Sequence, residues 1–134
     1  MLRTVTAALL CVFFMFGCGR AISDANARRA LTGRWLLNTN RNCTYGAVES
    51  DELILYEDGK MEQHLRLKDG RKFDSNSEHW SFIPQTNIGL ESRWNFPAGA
   101  KAPSKESESL IVEFSKPPAI VIDPDSNCFY AKVE

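Results

Sequence analysis

Two histidines, His64 and His79, are the first candidates for acid–base or metal chemistry in this 134-residue chain. His64 falls in the polar phase of an alternating run, with Glu62, Arg66 and Lys68, and His79 precedes Trp80. No cysteine or carboxylate stands at a recognised metal-ligand spacing from either one. Ser104, Ser107 and Ser109 lie in a charged segment without apolar period. Such a loop holds a nucleophile poorly against a base. Asp123, Asp125 and Asn127, with Glu134 further on, occupy positions 1, 3, 5 and 12 of a calcium-loop pattern, but Cys128 stands where the sharp turn needs glycine. Asp-Pro-Asp-Ser-Asn is accounted for by a turn between two strands. Asn42-Cys43-Thr44 matches a glycosylation acceptor, which matters only in a eukaryotic secretory route. The expectation is therefore a protein with no catalytic residues, no metal site and no cofactor.

Charge adds little about partners. The chain carries 16 basic and 17 acidic residues, a net charge of −1. No basic run offers a footprint for nucleic acid.

The elements that would position any site are strands. From Trp35 onward the apolar period is two: Met61, Gln63, Leu65 and Leu67 share one phase while Glu62, His64, Arg66 and Lys68 share the other, as in a half-buried strand. Asp58-Gly59 and Asp69-Gly70 are hairpin signals. Further strands are predicted over 78–83, 88–95, 110–115, 119–123 and 128–133. Short strands spaced by turn residues indicate a barrel or sandwich, here an all-β meander of seven to eight strands. Residues 97–109 are predicted to be a long surface loop. Ahead of the strands the chain reads as a tether with one helical turn, which Ser23 or Asp24 can cap, residues 25–31 can form and Gly33 can end.

Residues 1–17 read differently. Arg3 is followed by an apolar run from Val5 to Phe16, the layout of a secretory signal, and too short for the roughly 20 apolar residues that span a bilayer. Its loss would remove one basic and no acidic residue, leaving a net charge of −2. Met15-Phe16-Gly17-Cys18-Gly19 resembles the lipobox of bacterial prolipoproteins, with Met15 and Phe16 in place of that family's usual residues. The resemblance implies cleavage before Cys18, acyl chains such as palmitate on its sulfur, and anchorage in the cell envelope, with Gly19 favouring the outer membrane facing the periplasm. The alternative is cleavage near Gly19 and secretion. On the lipobox reading Cys11 leaves with the signal and Cys18 carries lipid. Cys43 and Cys128 are then an even pair in an oxidising compartment, which predicts a disulfide. A loop of that length would be stabilised by about 4 kcal/mol in the chain-entropy model. The organisation expected is signal 1–17, lipidated Cys18 and tether 18–30, and barrel 31–134.

Leu31-Thr32-Gly33-Arg34-Trp35-Leu36-Leu37 resembles the Gly-x-Trp opening strand of lipocalin-like barrels. There the glycine lets the chain bend, the tryptophan plugs one end, and a basic side chain from the chain's end covers it; Lys132 is the candidate here. The same stretch, with Cys43 following, is similar to the small secreted barrels that inhibit bacterial metalloproteases. These resemblances imply a membrane-anchored, non-enzymatic binding module. It would take a small apolar ligand beside Trp35 and Trp94 or a protein partner at its open end. An inhibitor or immunity protein for an envelope enzyme and a structural envelope lipoprotein are the alternatives.

Overall fold

The computed structural model describes residues 23–38, 46–84, 86–97 and 99–134, and the fold is all-β with one short helix. Eight strands, β1 (Gly33–Leu37), β2 (Val48–Leu55), β3 (Lys60–Leu67), β4 (Lys72–Ile83), β5 (Asn87–Asn95), β6 (Ser104–Glu113), β7 (Ala119–Asp123) and β8 (Cys128–Val133), form a closed meander barrel. Every neighbouring pair is antiparallel, and β1 closes the ring by pairing Arg34 with Val133 and Leu37 with Tyr130.

The helix α1 (Asp24–Leu31) precedes the barrel and covers one end of it. Ser23 caps it by accepting the N–H of Asn26, the usual remedy for an unsatisfied first-turn donor. Its buried residues, Ala27 and Leu31, are four apart and so share one helical face. Beneath them Trp35 plugs the barrel: its side chain has no exposure, and its Nε1–H donates to the Leu31 carbonyl at 2.8 Å. The Lys132 ammonium lies 5.8 Å from the Trp35 ring centroid and donates to the Ala30 carbonyl at 2.8 Å, the cover that the lipocalin-like resemblance implied. Gly33 is needed there twice over. Its φ is +132°, and a Cβ would meet the Lys132 Cε at 3.0 Å.

The two Asp-Gly hairpins use a turn other than the one in which both residues adopt positive φ. In each, only the glycine does, Gly59 at +89° and Gly70 at +93°. Gly59 N–H donates to the Tyr56 carbonyl and Gly70 N–H to that of Leu67, the pattern of a three-residue loop ending in a glycine bulge. Asp58 and Asp69 accept the backbone N–H two residues on, at 3.0 Å each, which holds both carboxyls below the ordinary range.

Two strands run longer than their sequence suggests. β4 begins at Lys72, and β6 begins at Ser104, inside the segment expected to be loop. Both extensions are polar apart from Phe73: Ser104–Ser109 pairs only along β5, and its side chains are mostly exposed. Strand pairing there is carried by the backbone, which apolar alternation does not report.

Candidate functional site

The unusual chemistry of this molecule is inside the barrel. Asp51, Gln63 and Arg93 are buried in a lumen otherwise lined by Leu53, Leu55, Met61, Leu65, Leu67, Ile88, Leu90 and Ile120. Asp51 shares its phase with Leu53 and Leu55, and Gln63 with Met61, Leu65 and Leu67, so both must point inward. Arg93 arrives by another route. The β5–β6 register shifts between Leu90 and Arg93, where Ser92 adopts a φ of +54°. This bulge reverses the phase that Ile88 and Leu90 set and swings Arg93 inside.

Arg93 is neutralised by a two-pronged pair with Glu108, at 3.0 Å from Nε and 2.8 Å from Nη2. Its Nη1–H also donates to the Tyr130 hydroxyl at 2.9 Å and lies 3.7 Å from the Asp51 carboxylate. Tyr130 donates onward to Asp51 at 2.5 Å, and the Gln63 amide donates to the other Asp51 oxygen at 2.9 Å. One guanidinium thus faces two carboxylates, and Glu108 takes the fork. Asp51 is the surplus anion. Burial pushes its carboxyl above the ordinary aspartate range, against the opposing pull of Arg93, Tyr130 and Gln63.

The sign of the resulting pH dependence follows from linkage. A carboxyl whose folded-state pKa exceeds its unfolded value contributes stability that is complete below the unfolded pKa and is lost as pH rises through the folded one. Asp51→Asn removes the titration. The expected result is a denaturation midpoint that falls less steeply above about pH 4 than that of the parent, read from urea melts across pH. An equal slope in both proteins would show that folding does not raise the Asp51 carboxyl.

Gln63 has a second task. Its Oε1 accepts the Trp94 N–H at 2.6 Å and its Nε2–H donates to the Trp94 carbonyl at 3.0 Å. The side-chain amide therefore satisfies a strand residue whose own neighbour has moved away. β4 pairs with β5 only through Trp80–Ile83, and the earlier part of β4 follows β3 instead. In the slot so formed, the Trp94 ring packs on Phe73 at 5.2 Å, and the Lys105 ammonium lies 5.2 Å from its centroid while pairing with Glu78 at 2.6 Å. The Trp94 Nε1–H and the Ser75 hydroxyl are buried without a hydrogen-bond partner among the described residues.

The residues singled out by sequence are dispersed. Trp35 is sealed at the helix-capped end, and Trp94 sits toward the opposite end, partly buried. Cys128 opens β8, fully buried; Cys18 and Cys43 lie outside the described residues. His64 is on the outer wall between Asp74, at 2.8 Å, and Glu62, at 3.7 Å. Among the described residues no group of three His, Cys, Asp or Glu side chains is placed to hold a metal ion. The Asp123 carboxylate is spent on its own turn, accepting from the Asp125 N–H and the Ser126 hydroxyl. Among the described residues, a surface groove of about 310 Å3 follows β7 past Val121 and Phe129, and another of about 670 Å3 lies between 116–118 and 132–134.

The described chain is thus an eight-stranded meander barrel, plugged by a tryptophan and crossed by a buried polar network. No protein-family model, curated protein or solved structure matches it.

Proposed function

We propose that this protein is a non-enzymatic envelope lipoprotein, anchored through Cys18 and closed by a Cys43–Cys128 disulfide, that binds a protein partner at the end of the barrel opposite the helix. One observation favours a protein partner over a small apolar ligand. The lumen where such a ligand would sit is occupied by the Arg93–Glu108–Tyr130–Asp51–Gln63 network. An eight-stranded barrel has an interior just wide enough to be filled or to hold one small ligand, and a charged network repels an apolar guest. Trp94 supplies the alternative contact. It is an aromatic held in place by Gln63 and flanked by a lysine, the kind of rigid anchor enriched at interface centres.

The test is amine cross-linking in intact envelopes of the native host, read by mass spectrometry. Cross-links to one partner protein should concentrate at Lys101 and Lys105, and Lys105→Glu should reduce those remaining at Lys101 about tenfold, the loss of one interface contact worth about 1.4 kcal/mol. Cross-links confined to Lys60 and Lys116, at the helix-capped end, would contradict this placement.

A further inference from the structure

We propose that the helix-capped end of the barrel docks on the lipid surface itself, so that the anchored domain stands upright with its opposite end directed away from the bilayer. The inference rests on the lipid anchor at Cys18 and adds an orientation to it. Four residues of chain separate Cys18 from the helix cap Ser23. Fully extended, the span from Cys18 to Ser23 is at most about 18 Å. The helix they lead to lies across the capped end, where Arg28 donates to the Glu57 carbonyl and stacks on Trp80. An acyl chain on Cys18 therefore holds that end close to the membrane.

The exposed apolar side chains gather at the same end. Of the four large ones most exposed among the described residues, Tyr56 follows β2, Ile83 ends β4, and Ile111 lies two residues from the end of β6. All three of these strand ends are on the helix-capped side. Ile83 and Ile111 flank Asn87, their common register partner on β5, and so form a single outward patch beside the β4–β5 turn. The fourth, Leu36, is on the outer wall. The charges around this end balance, Arg28, Arg29, Lys60, Lys116 and Lys132 against Asp24, Glu57, Asp58, Glu113 and Glu134. With no cationic excess, the contact is made by apolar side chains entering the headgroup layer, and it should neither require anionic lipid nor weaken with salt.

The experiment uses the lipidated protein reconstituted in zwitterionic phosphatidylcholine vesicles, with an environment-sensitive fluorophore at Thr86→Cys, in the β4–β5 turn, or at Lys68→Cys, in the β3–β4 turn at the other end. Brominated lipid should quench the label at 86 at least threefold more than the label at 68, unchanged by high salt. Ile83→Asp combined with Ile111→Asp should abolish that difference, while the circular dichroism and melting temperature stay as in the parent because both positions are exposed. Equal quenching at both sites in a protein whose mass includes the lipid overturns the orientation and leaves the anchor standing. A mature chain without the acyl mass overturns the anchor and the orientation with it.

Discussion

Arg93→Ala is expected to cost the fold about 3–5 kcal/mol, the range for removing one member of a buried ion pair. In small domains each kcal/mol lowers the melting temperature by about 4–8 °C, so the variant should melt more than 10 °C below the parent or fail to fold at room temperature. The reason is the charge count in the lumen. Without the guanidinium, Glu108 loses its fork and Asp51 keeps the bonds from Tyr130 and Gln63, so two carboxylates are left without their shared cation. Most of the loss is the uncompensated carboxylates rather than the value of the pair. The double replacement Glu108→Gln with Asp51→Asn in the Arg93→Ala background should therefore recover part of the stability. Urea denaturation of the single and triple variants decides it: a triple variant less stable than Arg93→Ala alone would mean that the polar atoms, not the charges, carry the network.

The second large effect belongs to Trp35. Trp35→Ala is expected to cost about 3–5 kcal/mol, as for large-to-small replacements of buried aromatics. It also removes the Nε1–H bond to Leu31 and the ring beneath Lys132. Because Leu31 belongs to α1, the loss should spread upward into the helix. Amide exchange in α1 is expected to accelerate in Trp35→Phe, which keeps much of the volume and loses the hydrogen bond, while exchange in β5 and β6 stays as in the parent. Protection of α1 unchanged in Trp35→Phe would show that Ala27 and Leu31 hold the helix by apolar contact alone.

The architecture was legible wherever one face of a strand is buried. The alternation from Met61 to Leu67 and the two Asp-Gly pairs place β3 and its hairpins, because period two and turn glycines are what such strands require. The first halves of β4 and β6 were not legible. Their residues, such as Asn76, Ser77 and Glu106, are exposed, so no apolar period marks them. Part of the lumen network was visible in outline, since Gln63 sits in the inward phase of its strand and Asp51 precedes Leu53 and Leu55 in theirs. A charge in an inward phase is the signal for a buried polar site, and it points to Asp51 directly. Arg93 was hidden for a different reason. Continuing the phase of Ile88 and Leu90 puts Trp94 inside and Arg93 outside, and the bulge at Ser92 exchanges them. Sequence periodicity carries no mark of a bulge built on a non-glycine residue, so the centre of the network could not be read from it.

Trp35 and Trp94, named together for a ligand site, lie toward opposite ends of the barrel: Trp35 plugs the capped end, and Trp94 is braced in a slot by Gln63, Phe73 and Lys105. A surface that recognises a protein uses such preorganised aromatics near its centre, whereas a carrier of apolar cargo needs an empty interior.

The most direct test of that distinction is a native mass spectrum of the protein extracted from its own host's envelope. A bare lipidated chain, or one with a stoichiometric protein partner attached, is the predicted result. A reproducible added mass of a few hundred daltons, retained when the lipid anchor is removed, would show a bound small molecule and contradict the account.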